Sequence, residues 1–144
     1  MMGSVHAALG AALGNRIKNR PLAFVAGVFS HLVGDMIPHH DMGPAEAPLV
    51  FGTVALVGHK HGWSSPQFLC AVGAILPDFE HIPAELRKDP RRHKPMSEKL
   101  FPTHNNRLPH SKWPLHESLG IVMNIVLYLG GLYLAGMLER SSRR

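Results

Sequence analysis

Cysteine is nearly missing from this 144-residue chain, and the shortage limits the kinds of site that it can build. Cys70 is the single cysteine, so the chain has neither an internal disulfide nor a CxxC pair for a cysteine-rich zinc site. Any bound metal must therefore be held by nitrogen and oxygen ligands.

Charged residues and strand patterns are also scarce. Charged side chains make up 17% of the chain, whereas about 25% is usual in soluble domains. No segment alternates cleanly between apolar and polar residues, which argues against strands. The chain also has no phosphate-binding glycine loop, no GxSxG elbow and no DNA- or RNA-binding signature. We therefore expect neither a serine hydrolase nor a nucleic-acid partner.

Hydrophobic residues and histidine are abundant instead. Hydrophobic residues make up 45% of the chain, histidine occurs eleven times, and the formal net charge is +5. Much of the positive charge falls in residues 87–112 and 140–144, which suits anionic lipid headgroups or phosphate-bearing ligands. The length fits a single domain over residues 1–144.

Apolar runs predict a compact all-α bundle of about five helices. The expected helices cover about residues 5–17, 21–37, 47–58, 66–81 and 115–138. A long loop rich in histidine, arginine and proline is expected at about 83–114. Small residues at Gly10, Gly14, Gly131 and Ala135 predict faces for close helix packing.

The last helix is the main reason to expect a membrane-associated protein. Residues 118–138 contain no charged side chain, and about 20 apolar residues span a bilayer core. A transmembrane helix is therefore predicted here, and the alternative is a buried central helix of a soluble bundle. The apolar stretch 5–13 lacks a preceding basic residue, so we expect it to be retained and not cleaved as a secretory signal.

Histidines and carboxylates form the first candidate site. His31 and Asp35 are four residues apart and share one face of a helix, where they either bind one metal ion or hydrogen-bond to each other. The following residues 38–41, PHHD, are interpreted as a polar turn, and His39 is the residue of this turn that we expect to face the site. His6 needs a buried partner or a solvated position, and a metal is one such partner.

Two further clusters add potential ligands. Residues 76–81, LPDFEH, place Asp78 and His81 three apart, with Glu80 between them. Residues 103–111 place His104 and His110 in the long loop, where they could close over a site that the helices form.

Together these elements resemble the inner-membrane metal-dependent hydrolase family. Its early histidine corresponds to His6, its LPDxDH motif to residues 76–81, its HRGxxHS motif to residues 104–111, and its SHxxxD motif to residues 30–35. Glu80 replaces the second aspartate of LPDxDH, and the SHxxxD element comes first in this chain. The resemblance implies a helical protein of a bacterial-type inner membrane. Residues 31–40 also resemble the HxxGDxxxPxH segment of zinc-dependent phospholipase C.

These observations predict a metal-dependent hydrolase. The expected metal ligands are His6, His31, Asp35, Asp78, His81, His104 and His110. Zinc is the expected metal and manganese or iron are alternatives.

The expected chemistry is hydrolysis by a metal-activated water, with Glu80 as the general base or a bridging carboxylate. Lys112, Arg107 or the pair Arg91 and Arg92 would hold a phosphate, which favours a small or lipid-borne anionic phosphoester and membrane lipid as a partner. The alternatives are a non-catalytic metal-binding membrane protein and a metal-free membrane scaffold, in which the histidines would lie apart.

Overall fold

The computed structural model describes residues 2–37, 39, 46–80, 99–105, 107–108 and 116–138, and these residues are mainly helical. The α-helices are α1 (Gly3–Gly14), α2 (Arg20–Met36), α3 (Ala47–His61), α4 (Pro66–Ile75) and α5 (Glu117–Leu134). A 3₁₀ turn, Leu76–Glu80, continues α4. No strand occurs among the described residues, so the prediction of an all-α bundle is confirmed.

Local side-chain chemistry starts two of the helices. The Asn19 side chain accepts a hydrogen bond from the Leu22 amide (2.9 Å) at the start of α2, and the Ser65 hydroxyl accepts one from the Phe68 amide (3.1 Å) at the start of α4. Such caps satisfy amides that have no partner within the helix. Pro66 opens α4, where its missing N–H costs nothing.

The fourth helix is shorter than the prediction of 66–81. α4 ends at Ile75, and the chain tightens into the 3₁₀ turn from Leu76. Pro77 explains the change, because it lacks an amide hydrogen and cannot donate the backbone hydrogen bond that would continue α4. Asp78 and Glu80 therefore lie on a short turn instead of on a regular helix.

Consecutive helices run in opposite directions. The Gly3 amide at the start of α1 donates to Glu46 Oε1 just before α3 (2.9 Å). At the other end of α1, the Asn15 side chain donates to the Leu134 carbonyl oxygen at the end of α5 (3.2 Å). The ends of α2 and α4 also reach the N-terminal end of α1, where Asp35 contacts His6 and Asp78 lies beside Gly3. The candidate site forms at this end.

Glycines allow the central helices to approach very closely. A Cβ atom added at Gly27 of α2 would collide with the Cys70 carbonyl oxygen of α4, and one at Gly73 would collide with the Phe24 carbonyl oxygen of α2. A side chain at either position would therefore force the two backbones apart. Close packing at Gly10 and Gly131 is confirmed as well, since each faces the backbone of a neighbouring helix.

The structure does not meet the prediction of a transmembrane helix over 118–138. α5 stops at Leu134, and Gly136 follows with a φ of 72°, a left-handed conformation that commonly ends helices. Within the described residues, no helix has both the length and the apolar content needed to cross a membrane.

Candidate metal centre

His31 of α2 directs one ring nitrogen into the N-terminal end of the bundle. Its Nδ1 lies 2.8 Å from the Ala74 carbonyl oxygen of α4. Because a carbonyl oxygen can only accept, Nδ1 carries the hydrogen and donates it. The other nitrogen, Nε2, then offers a lone pair in the neutral ring. The close contact between α2 and α4 therefore fixes both the orientation and the tautomer of His31.

His104 meets His31 from a distant part of the sequence. The His104 Nδ1 donates to Glu80 Oε1 over 2.7 Å, so its Nε2 also offers a lone pair in the neutral ring. Glu80 is held in turn, since it accepts hydrogen bonds from the amides of Leu100 (2.9 Å) and Phe101 (3.3 Å). A histidine oriented by a carboxylate in this way is a common feature of metal sites.

The two Nε2 atoms lie 3.3 Å apart. Two neutral rings with these tautomers would point lone pairs at each other, which is favourable only with a cation between them. In a tetrahedral ion bound at about 2.0–2.1 Å, two nitrogen ligands are separated by about 3.3 Å. The observed separation therefore fits a shared metal ion, and a shared proton is the other cation that it fits.

Asp35 of α2 connects three histidines. Its Oδ2 lies 3.1 Å from His31 Nε2 and 3.5 Å from His104 Nε2, and its Oδ1 lies 3.1 Å from His6 Nε2. The His6 ring stacks on that of His31, with centroids 4.1 Å apart. These four side chains are at most 4% exposed. This cluster of His6, His31, Asp35 and His104 could hold a metal ion.

Asp78 completes the group and reaches solvent. Its Oδ1 lies 3.7 Å from His31 Nε2 and 3.8 Å from His104 Nε2, and 36% of the side chain is exposed. His6, His31 and Asp78 can also present ligand atoms within 4.8 Å of one another. The ligand set is therefore closed on the side of the helices and open beside Asp78.

Burial and charge act in opposite directions on these groups. Burial lowers the pKa of His6 to about 3, so this ring is neutral, as a metal ligand must be. Burial also acts to lower the pKa of His31, but the neighbouring Asp35 and Asp78 outweigh it and raise that pKa. Burial raises the pKa of Asp78, although His31 opposes the change. The carboxylates thus favour positive charge at His31 Nε2.

Glu46 belongs to the same end of the bundle, and the sequence patterns did not identify it. Burial raises its pKa, and the negative charge of Asp78 adds to the rise. Its Oε2 is buried without a hydrogen-bond partner among the described residues. In the sequence, a single acidic residue before an apolar helix indicates only a favourable charge at the helix N-terminus. The position of Glu46 near the candidate site is visible only in the tertiary structure.

The structure brings together five of the predicted ligands, namely His6, His31, Asp35, Asp78 and His104. His81 and His110 lie outside the described residues, as do His40 and Asp41, so their predicted roles stay predictions. His39 directs Nδ1 to the Ile37 carbonyl oxygen over 2.6 Å.

Sulfur is not part of this cluster. Cys70 is buried in α4, and burial raises the pKa of its thiol to about 11. It is therefore protonated at neutral pH and is a poor metal ligand.

No protein-family model, no curated protein and no solved structure matches this chain.

Proposed function

We propose that this protein is a metal-dependent hydrolase that acts on phosphoesters, with zinc as the metal and manganese or iron as alternatives. The observation that carries the proposal is the convergence of His31 Nε2 and His104 Nε2 at 3.3 Å beside Asp35. The three imidazoles of His6, His31 and His104 and the Asp35 carboxylate form a nitrogen and oxygen ligand set that suits these divalent ions. The resemblance to the inner-membrane hydrolase family is consistent with the same proposal.

The exposed part of Asp78 supports catalysis over purely structural binding. Catalytic metal sites keep a position open to water or substrate, whereas structural sites are closed. Here the buried cluster opens beside Asp78, whose side chain is 36% exposed. A bound divalent ion acidifies water and polarises a phosphoryl oxygen.

The side chains have different tasks in this proposal. His6, His31, Asp35 and His104 hold the metal. Asp78 lies at the opening and accepts the proton from the attacking water, and its raised pKa brings it closer to neutral pH. The sequence predicted Glu80 as a general base or a bridging carboxylate, but the Glu80 oxygens already accept three hydrogen bonds. We therefore propose Glu80 as a positioning residue for His104.

A negatively charged substrate fits the surroundings of the opening. Arg107 follows His104 by three residues and is exposed, so it is available to a phosphate group. The other predicted phosphate-binding residues, Arg91, Arg92 and Lys112, lie outside the described residues.

Association with a membrane remains part of the proposal. Large apolar side chains are exposed along α5, among them Leu119, Val122, Ile125 and Val126. Extended apolar surface of this kind marks contact with membranes or partner proteins.

A comparison of Asp78→Asn with the wild type tests the proposal. Metal content is measured by elemental mass spectrometry, and hydrolysis is followed with p-nitrophenyl phosphate and bis-p-nitrophenyl phosphate. The wild type is expected to hold stoichiometric metal and to hydrolyse one of the two esters. Asp78→Asn is expected to keep its metal but to lose at least 100-fold in kcat, whereas Ser118→Ala, an exposed position at the start of α5, keeps both.

Two outcomes contradict the proposal. Stoichiometric metal without turnover of either ester indicates a non-catalytic metal-binding protein. Absence of metal after reconstitution with zinc, manganese and iron indicates a metal-free scaffold protein, in which the clustered histidines share a proton.

A further inference from the structure

An apolar groove runs along the outer surface between α1 and α2. Its volume is about 610 Å³, and α1 contributes Leu9 and Leu13 to its walls while α2 contributes residues from Leu22 to Gly34, with Ile37 beyond. Ligand sites commonly have volumes of about 300–1,000 Å³. None of the metal-binding side chains lines the groove, and the groove plays no part in the proposed hydrolysis.

The lining of the groove offers almost no hydrogen-bonding group. Ser30 is the single residue with a polar side chain among its described lining residues, and the Ser30 hydroxyl donates to the Gly27 carbonyl oxygen over 2.8 Å. Water in the groove therefore has few partners. A hydrocarbon chain gives up no hydrogen bond on entering, and its burial removes apolar surface from water.

The α2 wall presents large apolar side chains in a continuous stripe. Leu22, Val25, Phe29 and Val33 are each between 47% and 63% exposed. Their spacing of three or four residues places them on one face of the helix. From Leu22 to Val33 the stripe is about 16 Å long, at about 1.5 Å per residue. That length matches one lipid leaflet, since a bilayer core is about 30 Å thick.

Positive charge is concentrated at one end of the groove. Leu13 and Leu22 flank the connection between α1 and α2, which carries Arg16 and Lys18 and leads into Arg20. All three basic side chains are exposed.

The described carboxylates of the metal-site region lie at the opposite end of α1 and α2, where Asp35 contacts His6. An occupant with a hydrocarbon chain and an anionic head therefore matches both parts of the groove. A peptide helix or a second copy of the chain would need no anion at this end.

We propose that the α1–α2 groove binds one acyl chain of an anionic glycerophospholipid, with the phosphate at Arg16, Lys18 and Arg20. The chain lies against Leu22, Phe29 and Val33 and points towards Ile37. The site orders a lipid beside the bundle and is independent of the metal centre.

Binding of two lysophospholipids tests the proposal. Lauroyl-lysophosphatidylglycerol and lauroyl-lysophosphatidylcholine have the same chain but an anionic and a zwitterionic head. Each is added below its micelle concentration to the full-length, metal-loaded protein, and stoichiometry and Kd are measured by native mass spectrometry and calorimetry. One molecule of the anionic lipid is expected to bind at least 10-fold more tightly than the zwitterionic one.

Matched variants locate the chain and the head. Val33→Asn is expected to weaken both lipids at least 10-fold, whereas Val126→Asn leaves both unchanged, although Val33 and Val126 are 62% and 63% exposed. Arg16→Gln with Arg20→Gln is expected to remove the preference for the anionic head, while Lys60→Gln, an exposed position in α3, keeps it. Asp78→Asn is expected to bind normally, so loss of hydrolysis and loss of lipid binding are separate results.

Three results overturn the lipid site. Equal weakening by Val33→Asn and Val126→Asn indicates non-specific coating of apolar surface. Equal affinity for the two head groups shows that Arg16, Lys18 and Arg20 do not bind the lipid phosphate. A dimer in solution that Val33→Asn dissociates, while Val126→Asn does not, assigns the groove to a second copy of the chain.

Discussion

At the scale of single residues, each histidine of the pair His31 and His104 uses its two ring nitrogens differently. One nitrogen donates to an acceptor outside the cluster, Ala74 or Glu80, and the other faces the shared point. This division turns two ordinary buried histidines into oriented ligands. The partners of Nδ1 therefore matter for metal affinity although they do not contact the metal.

Glu80→Ala is expected to weaken zinc binding by about 10–100-fold, the usual effect of removing an outer partner of a metal-binding histidine. The His104 ring loses its acceptor at 2.7 Å and can turn away. Competition with a chromophoric chelator measures the Kd, and Ser118→Ala serves as the control. An unchanged Kd in Glu80→Ala would show that His104 does not depend on this contact.

The buried neutral ring of His6 predicts a particular pH dependence of the metal-free protein. Its folded-state pKa is about 3, against about 6.5 in an unfolded chain. Below pH 6.5 the unfolded state therefore binds a proton that folded His6 does not, and stability falls as pH falls towards 3. Above pH 6.5 this contribution to the pH dependence vanishes.

Urea denaturation at pH 7 and pH 5 measures this effect. Because of His6, the free energy of unfolding is expected to be about 2 kcal/mol lower at pH 5. This value follows from a loss of about 1.36 kcal/mol for each pH unit below 6.5. His31 has a raised pKa, so its contribution is present below 6.5 and is lost as pH rises through its folded-state pKa. Comparison of the wild type with His6→Gln isolates the contribution of His6. If the free energy of unfolding changes equally with pH in the two proteins, the prediction for His6 is wrong.

At the scale of the helices, the close contact between α2 and α4 positions the site. Gly27 and Gly73 let the two backbones touch, and the His31 ring reaches the Ala74 carbonyl oxygen only at that separation. The packing of small residues is thus linked directly to the orientation of a ligand.

Gly27→Ala is expected to destabilise the protein by more than the about 1–3 kcal/mol typical of overpacking, because the added carbon meets backbone instead of a flexible side chain. Gly52→Ala is the matched control. Gly52 lies within α3 with open space around it, so alanine is expected to add about 0.5–1 kcal/mol. Thermal denaturation measures both, and a neutral Gly27→Ala would contradict the close packing.

The sequence predicted the helices better than their ends. Apolar runs located the starts of α2 and α4 well, and the structure shows that the Asn19 and Ser65 caps and the helix-starting prolines define these starts locally. The early end of α4 depends on Pro77, and the end of α5 on Gly136. Pro77 and Gly136 are both apparent in the sequence, but the tertiary structure determines which of the chain's prolines and glycines ends a helix.

The candidate site was predictable only in part for a similar reason. His31 and Asp35 share a helical face, so their proximity follows from spacing alone. The meeting of His31 with His104, 73 residues later, depends on the arrangement of the whole bundle. No residue pattern identifies the Ala74 carbonyl oxygen as a partner or brings Glu46 to the same end.

At the scale of the whole molecule, a metal ion would join parts of the chain that are far apart in sequence. The ligands come from α1, α2 and the segment 99–105. Since the unfolded chain does not hold these groups together, metal binding adds to the stability of the folded state.

Removal of metal with a chelator is therefore expected to lower Tm. Zinc at 100 times its Kd contributes about 2.7 kcal/mol, which corresponds to a fall of about 8 °C for a chain of this size. Differential scanning fluorimetry measures the change. His31→Ala is expected to show no response to the chelator, whereas His59→Ala at the far end of α3 responds normally. Equal responses of the two variants would place the metal elsewhere.

X-ray absorption spectroscopy of the zinc-loaded protein tests the metal centre most directly. We predict nitrogen and oxygen ligands at about 2.0–2.1 Å, scattering from three imidazoles, no sulfur, and the loss of one imidazole in His104→Ala. A spectrum with sulfur ligands, or one that His104→Ala leaves unchanged, would contradict the assignment of His6, His31, Asp35 and His104 as the metal-binding cluster.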